Sequence, residues 1–255
     1  MTTSEYRQHP ACNFSSLKHL LKSPAHYQAA LQERVEETPA MRLGTLVHAM
    51  VLEDKEPTEL YAIKPPGLNL ATKEGKEWKA AQTLEIMSYD DLIAALEMKN
   101  SIIQNPHAKH ALAQCPIRET PIIETIFDVP CKALLDAHGS DGNGAWAILD
   151  IKTTDDASPD GFGRKVANYH YDFQASFYSA ILAQHHQLET RPFWMWIAVE
   201  KTAPYTCAVY AAAEWEESGD LKMERILRDW KTCTESDNWP QPFGGINQLP
   251  KPKWA

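Results

Sequence analysis

The fold is decided by one stretch, Ala147-Ile148-Leu149-Asp150-Ile151-Lys152-Thr153-Thr154. A short apolar run ends there in a carboxylate, and a lysine follows one residue later. The stretch predicts a strand, in which successive side chains point to opposite faces. Leu149 and Ile151 then enter the core, while Asp150 and Lys152 project together from the other face. An acid beside an amine at a strand end is the arrangement needed to hold a divalent metal next to an activated water.

Length and composition favour one large domain of an ordinary globular protein. The chain has 255 residues, of which 44% are hydrophobic and 23% are charged, and this is enough to build a sizeable core. No apolar run approaches the roughly 18 to 20 residues of a membrane span. The N-terminal residues lack the basic-then-apolar pattern of a signal peptide. We therefore expect a cytoplasmic protein without a membrane partner.

Charge and cysteine usage argue against several classes of protein. The formal net charge of -9 disfavours a protein that coats nucleic acid indiscriminately. A local basic groove on an acidic body is still compatible with a nuclease. The five cysteines are widely spaced and form no C-x-x-C pair, so neither a zinc knuckle nor a redox motif is indicated, and ordinary buried thiols are expected.

Hydrophobic periodicity divides the chain into a helical first part and a mixed second part. Residues 10–115 carry mainly helical patterns. Residues 120–235 form the predicted catalytic core, which begins with three strands and continues as helix, strand, strand and helix. Residues 239–255 form a tail that lies along the surface or is disordered. We predict one α/β domain over residues 1–255, in which helices flank a mixed central sheet.

The relation between two aspartates stays open on the residues alone. The first three core strands are predicted over residues 121–129, 131–136 and 146–152, and a glycine-rich turn joins the last two. Asp136 then ends its strand, and it meets Asp150 only if the chain bends or the loop returns. Either the two aspartates form a site with Lys152, or Asp136 caps a turn and Asp150 makes a surface ion pair with Lys152.

A resemblance favours the first of these interpretations. Asp136, a hairpin and then Asp150-Ile151-Lys152 resemble the D…(D/E)xK signature of the PD-(D/E)xK nuclease superfamily. Over roughly residues 10–235, motifs also occur in the order found in the RecE-type exonucleases (exonuclease VIII). These motifs are Gly44-Thr45-Leu46-Val47-His48, Cys131-Lys132-Ala133-Leu134-Leu135-Asp136, Leu149-Asp150-Ile151-Lys152-Thr153-Thr154 and Tyr171-Asp172-Phe173-Gln174-Ala175-Ser176-Phe177-Tyr178.

The resemblance implies a role for each residue of the centre. His48 and Asp136 look like metal ligands, and Asp150 looks like the carboxylate shared between metals. The backbone carbonyl of Ile151 could add a ligand. Lys152 looks like the residue that orients or deprotonates the attacking water, with a lowered pKa. On its sequence context alone, His48 could also be a buried core histidine.

Further residues are implied around this centre. Gln174 and Tyr178, one helical turn apart, look like residues that steady the site or touch the DNA backbone, and Glu124 looks like an acid on the preceding strand. In a departure from the family pattern, Leu134 and Leu135 stand where arginine and proline are usual. The candidate phosphate contacts are Arg164 and Lys165 after the catalytic loop, and Lys73 and Lys76, which could equally form a solvated helix face.

The resemblance also implies an activity and partners. The activity is a metal-dependent 5′–3′ exonuclease that degrades the 5′-ended strand of linear double-stranded DNA and leaves 3′ tails for recombination by strand annealing. The implied cofactor is Mg²⁺, with Mn²⁺ tolerated. The resemblance also implies a ring-shaped homotetramer that works beside a RecT-type annealing protein. Two alternatives are a Cas4-like or other nuclease of the same fold without an iron–sulfur cluster, and a catalytically silent DNA-binding module.

Overall fold

The computed structural model of the protein describes residues 3–33 and 37–251. The strands are β1 (Tyr61–Ile63), β2 (Glu85–Met87), β3 (Ile117–Ile126), β4 (Val129–Ser140), β5 (Trp146–Thr154), β6 (Phe193–Glu200) and β7 (Cys207–Ala211). The α-helices are α1 (Thr3–Gln8), α2 (Phe14–Leu17), α3 (Pro24–Gln32), α4 (Pro39–Leu52), α5 (Pro57–Leu60), α6 (Lys73–Ala80), α7 (Tyr89–Gln104), α8 (Pro106–Gln114), α9 (Pro159–Tyr169), α10 (Tyr171–His186) and α11 (Glu216–Ser236).

A mixed five-stranded sheet forms the centre of the molecule. Its strand order is β3-β4-β5-β6-β7. The pairs β3–β4, β4–β5 and β6–β7 are antiparallel, and β5–β6 is parallel. The parallel pair needs a crossover connection, and helices α9 and α10 provide it. The short strands β1 and β2 form a separate parallel pair.

Helices cover both faces of this sheet. On one face, α10 and α11 pack with α2 and α3 around Ile148, Trp194 and Trp196. On the other face, α4, α7 and α8 pack around Leu149 and Ile151. The alternation predicted for β5 is therefore confirmed, as is the predicted α/β fold class with a mixed sheet between helices. Trp194 and Trp196 are core residues, each 1% exposed.

The predicted end of the second core strand was wrong. Strand β4 does not stop at Asp136 but continues to Ser140. Its pairing with β5 begins at Ser140↔Trp146 beside the turn and ends at Ala137↔Leu149. Asp136 and Asp150 are therefore the next residues in register on the two strands, equally far from the turn. The expected bend or returning loop is unnecessary.

The predicted start and end of the first core strand were also wrong. Strand β3 begins at Ile117, four residues before Pro121. Proline is tolerated inside β3 because this strand lies at the sheet edge, where an N–H need not join the ladder. The connection to β4 is a two-residue turn at Phe127 and Asp128, which both have positive φ. This is the backbone of a type I′ hairpin, formed here without the usual glycine.

The link between α9 and α10 places residues near the end of β5. The Ser158 hydroxyl accepts a hydrogen bond from the N–H of Gly161 and so caps α9, and Pro159 occupies the first turn, which sets the start of the helix. His170 then adopts a left-handed conformation with φ of 59° and joins α9 directly to α10. Among the helices of the described residues, none combines the length and apolar character of a membrane span.

Candidate metal centre

Carboxylates from adjacent strands lie side by side at one place in the sheet. The register that pairs Arg118 with Ala137 and Thr120 with Leu135 puts Glu119 of β3 opposite Asp136 of β4. The β4–β5 register puts Asp136 next to Asp150. Three acids thus follow one another across the strands β3, β4 and β5.

The β4–β5 ladder opens at this row of acids. Beyond Ala137↔Leu149 the strands no longer pair through their backbones. Instead, the N–H of Ile151 donates to Oδ2 of Asp136 at 2.9 Å. The carboxylate therefore replaces a backbone acceptor, which satisfies a buried N–H and fixes the position of Asp136.

Helix α4 adds His48 to the row. Its Nε2 lies 2.8 Å from the carbonyl oxygen of Ile151. A carbonyl only accepts, so Nε2 must carry the proton, and in the neutral ring Nδ1 presents a lone pair. Nδ1 lies 3.3 Å from Oδ2 of Asp136. Two acceptors that face each other at this distance are stabilised by a proton or a cation between them.

Glu119 completes this group, and the sequence interpretation had missed it. His48, Glu119 and Asp136 each offer one ligand atom, and these atoms lie within 4.8 Å of one another. Burial, followed by the nearby charge of Asp136, raises the pKa of Glu119 to about 7. Its backbone has φ of 45°, an uncommon conformation for a non-glycine residue that is enriched at functional sites.

Asp150 lies on the inner side of the centre and is 3% exposed. Lys152 donates to its Oδ1 at 2.9 Å, and Gln174 of α10 donates to the same oxygen at 3.2 Å. Oδ2 lies 2.7 Å from the Lys152 ammonium but has no well-aligned hydrogen bond in the described residues. Burial raises the pKa of Asp150 even though Lys152 opposes the shift.

Lys152 corrects one sequence expectation. Its pKa was expected to be lowered, and burial, the largest single influence, acts in that direction. The charges of Asp150, Tyr171 and Asp136 together outweigh burial, so the pKa lies above its ordinary value. The ammonium also lies 4.6 Å from the ring centroid of Tyr171, within cation–π range. A charged Lys152 donates hydrogen bonds, so its direct role is to orient groups rather than to accept a proton.

This donor set fits a divalent cation. Oδ2 of Asp150 is buried without an aligned donor, and Nδ1 of His48 faces Oδ2 of Asp136. Carboxylate oxygens are the ligands that Mg²⁺ prefers, and an imidazole also suits Mn²⁺. Asp136, Asp150 and Glu119 would hold the ion together with His48. The Ile151 carbonyl, predicted as a ligand, accepts from His48 and retains a second lone pair.

The remaining residues implied by the fourth motif lie behind Asp150. Gln174 is buried on α10 and donates a hydrogen bond to Asp150. Tyr178, one turn later, packs edge-on against Trp194 with ring centroids 6.2 Å apart. Burial raises its pKa well above the ordinary value, which keeps the phenol neutral.

The centre opens into a cavity of about 820 Å³. Leu134 stands where the RecE-type pattern usually has arginine, and it lies in the wall of this cavity. Arg7 and Lys55 supply cations to the same wall. Helix α1, which carries Arg7, is held by Lys132. The ammonium of Lys132 is buried and donates to the carbonyls of Tyr6 at 2.8 Å and His9 at 2.6 Å.

Other predicted residues lie outside this centre. Glu124 forms a 2.8 Å pair with His185 at the end of α10 and lies five positions after Glu119 on β3. Lys73 and Lys76 lie on the polar helix α6. They do not line the metal-site cavity or either of two smaller cavities near it, one beside Tyr171 and one beside Arg164. Arg164 and Lys165 lie on α9. Both line the cavity beside Arg164, and Lys165 also lines the cavity beside Tyr171.

Comparisons with known proteins agree with this architecture. Residues 13–252 match a family described as a PDDEXK-like domain of unknown function (DUF3799). A solved structure of a candidate exonuclease from Eubacterium rectale aligns with a TM-score of 0.67 at 13% identity, covering 99% of this chain and 95% of that chain. At that identity the likeness shows the fold alone. SSO0001 gives a TM-score of 0.30 at 14% identity over 72% of this chain and 86% of that chain, which is too low to support an argument. No protein of curated function matches the sequence.

Proposed function

Since the chain belongs to the PDDEXK-like family DUF3799, we propose that it is a metal-dependent nuclease that hydrolyses DNA phosphodiester bonds. One observation carries the proposal: His48, Glu119 and Asp136 offer ligand atoms within 4.8 Å of one another where the sheet opens, and Asp150, next to Asp136 in register, lies beside the Lys152 ammonium. A row of acceptors on three strands is costly without a cation. This arrangement therefore favours a reactive centre over the surface ion pair considered from the sequence.

The residues divide the chemistry between them. A bound divalent cation would supply an activated water and neutralise charge on the phosphate. Asp150 is fixed by Lys152 and Gln174, and Asp136 is fixed by the N–H of Ile151, so both carboxylates are oriented before substrate binds. Lys152 is charged and donates hydrogen bonds to the water or to a phosphate oxygen. Glu119 would bind the cation as its carboxylate, and since its pKa is about 7 without the ion, cation binding would release a proton near neutral pH.

The finer activity follows the RecE-type resemblance. We propose a 5′–3′ exonuclease that removes the 5′-ended strand of linear duplex DNA with Mg²⁺ and leaves 3′ tails for a RecT-type annealing protein. An acidic chain of net charge -9 can hold DNA if its cations line the path of the strand. A ring-shaped homotetramer would place such a path inside a channel.

The experiment uses linear duplex DNA labelled at either the 5′ or the 3′ end, incubated with Mg²⁺ and with wild type or Asp150→Ala. The proposal predicts early release of the 5′ label as mononucleotides by wild type and none by the variant. Early release of the 3′ label would contradict the polarity, and cleavage of a closed circular duplex would contradict an exonuclease. Absence of cleavage with both Mg²⁺ and Mn²⁺ would contradict a nuclease.

A further inference from the structure

A second cavity lies beside the metal centre. It has a volume of about 290 Å³, near the lower end of small-molecule pockets, which begin at roughly 300 Å³. Tyr169 and Tyr171 form one part of its wall, and Lys165 and Lys201 form another. The proposed hydrolysis does not use these four side chains, although Tyr171 contacts Lys152.

This second cavity adjoins the metal-site cavity. Met41 and Gly44 of α4 line both of them. On the opposite side, the Lys152 ammonium of the first cavity lies 4.6 Å from the Tyr171 ring of the second. A group bound in the second cavity would therefore lie next to the reacting phosphate.

Gly44 lies at the boundary between the two cavities. A Cβ at this position would meet only Oγ1 of Thr153, at an ordinary contact distance of 3.6 Å. Packing of the helix therefore does not demand glycine here, and glycine weakens a helix interior relative to alanine. A longer side chain would project into the space that the cavities share.

The tyrosines form a flat aromatic surface. The rings of Tyr169 and Tyr171 are stacked, with centroids 5.7 Å apart and planes inclined by 24°. Tyr171 is partly buried, while Tyr169 is 50% exposed. Tyr169 therefore extends the stack outward and leaves ring surface available to a planar ligand. Core packing does not explain so large an exposed area on an aromatic ring at a cavity wall.

The cations beside this surface suit a phosphate-bearing ligand. The ammonium of Lys165 lies 5.6 Å from the Tyr169 ring. Lys165 and Lys201 share a single carboxylate, that of Asp155, so positive charge is in excess among these three. A third cavity of about 210 Å³ continues outward past Tyr169 and Lys165 and is also lined by Arg164.

We propose that the second cavity is a nucleotide subsite, in which the base of a DNA nucleotide next to the scissile phosphate stacks on Tyr169 and its backbone phosphate contacts Lys165. The inference rests on the proposed nuclease function for the identity of the ligand. Stacking on an aromatic side chain accepts every base because each base has a π-face. The third cavity then carries the same strand onward over Arg164.

The test measures binding, so that it is independent of cleavage. The probe is a fluorescein-labelled DNA duplex with three unpaired nucleotides at one end, titrated by anisotropy in EDTA. Each unpaired position is made abasic in turn, and every probe is measured with wild type and Tyr169→Ala. Base stacking predicts that Tyr169→Ala weakens binding about 5- to 100-fold. It also predicts that one abasic position weakens wild-type binding similarly and has little further effect on the variant.

Matched variants separate stacking from folding. Tyr169→Phe keeps the ring and is expected to bind like wild type. Tyr89→Ala removes another exposed tyrosine, 40% exposed on α7, and is also expected to bind like wild type. Gly44→Leu projects into the space that the cavities share and should weaken binding, while Gly44→Ala should not. Thermal melting checks that each variant is folded.

The outcomes distinguish the two proposals. If wild type binds the probe and shows the coupling but cuts no DNA with Mg²⁺ or Mn²⁺, the subsite stands and the nuclease proposal falls. Additive effects of Tyr169→Ala and every abasic position would overturn the subsite, even where wild type cleaves DNA. Equal binding by wild type and Tyr169→Ala, or no binding by wild type, would also overturn it.

Discussion

Asp150 and Asp172 are both buried, at 3% and 1% exposure, but their surroundings differ. Asp172, in the first turn of α10, accepts hydrogen bonds from the Ser218 hydroxyl at 2.7 Å and from the Lys222 ammonium. Both donors lie on α11, so this carboxylate joins two helices. Asp150 has Lys152 and Gln174 as donors on Oδ1, while its Oδ2 has no aligned hydrogen bond in the described part of the chain.

Under the proposed function, this difference separates a structural acid from a metal-binding one. A satisfied buried carboxylate stabilises the packing of the elements that hold it. A buried carboxylate with an oxygen that accepts no hydrogen bond lowers stability in the absence of a ligand, and burial raises the pKa of Asp150. Burial alone would have grouped the two aspartates together. Their hydrogen-bond partners separate them.

The largest expected effect is that of removing the charge at Asp150. Asp150→Asn should lower the DNA cleavage rate by on the order of 10³-fold or more, because a metal-binding carboxylate contributes several kcal/mol to the transition state. Asp172→Asn should cleave DNA at close to the wild-type rate at a temperature where it is folded. Single-turnover cleavage of a labelled duplex measures both variants.

Unfolding should rank the same two variants in the opposite order. Breaking a buried ion pair costs about 3 to 5 kcal/mol, and we expect about 2 to 3 kcal/mol for Asp172→Asn because the Lys222 side chain is 29% exposed. Urea denaturation should show a smaller loss for Asp150→Asn, because the loss of its pair with Lys152 is offset by relief from the negative charge of Asp136. A greater loss of stability at Asp150 than at Asp172 would contradict the comparison.

A smaller effect on DNA cleavage is expected at Glu119 of β3. Glu119→Gln should reduce cleavage at limiting Mg²⁺ by about 10- to 100-fold, which is the range for groups that support a metal site. Glu124→Gln is the matched control, because it breaks only the pair with His185 and exposed pairs contribute about 0 to 1 kcal/mol. Equal rates for the two variants across a Mg²⁺ titration would remove Glu119 from the centre.

Arg7 tests whether the N-terminal helix contributes to DNA binding. We expect Arg7→Ala to weaken duplex binding roughly tenfold and to reduce the slope of log K against log salt by about 0.9, the value for one phosphate contact. Arg225→Ala is the control, since Arg225 lies on α11 and pairs with Asp229. An unchanged slope in Arg7→Ala would show that Arg7 contacts no DNA phosphate.

The last prediction concerns the pH dependence of folding stability that a buried histidine, His138, produces. His138 is 2% exposed, and burial, followed by the charges of His186 and His185, lowers its pKa to about 4. The unfolded chain binds this proton near pH 6.5, so stability is unchanged above that pH and falls between about 6.5 and 4. From pH 7 to 5, wild type should lose about 1 to 2 kcal/mol more than His138→Gln in urea denaturation. An equal loss in both proteins would mean that His138 is not buried as a neutral ring.

The sequence predicts the centre of the fold well because β5 has a clear alternation. Leu149 and Ile151 enter one core, and Asp150 and Lys152 share the other face, as expected from a period of two. Helix periodicity likewise predicts α4, which carries His48, and α10, which carries Gln174. The errors fall where local signals are weak or contrary. The small residues after Asp136 do not suggest a strand, and a turn at Phe127 and Asp128 has no glycine.

Glu119 was missed for the same physical reason. Pro121 predicts the start of a strand, which leaves Glu119 in a predicted loop. Glu124 is then the acid of the predicted strand. An edge strand tolerates proline, and extending β3 back to Ile117 puts Glu119 opposite Asp136. The register that pairs Glu119 with Asp136 therefore follows from the turn at Phe127 and Asp128 and from the lengths of the two strands. The left-handed backbone of Glu119 is a tertiary feature that no local pattern indicates.

Cation binding tests the central claim most directly. Mn²⁺ is titrated into wild type, Asp150→Asn and Asp172→Asn without DNA, and the free Mn²⁺ signal is followed by electron paramagnetic resonance. The account predicts saturable binding by wild type and Asp172→Asn, and binding at least about tenfold weaker by Asp150→Asn, as for loss of a carboxylate near the ion. Equal binding by all three proteins, or no binding by wild type, would contradict a metal centre at Asp150.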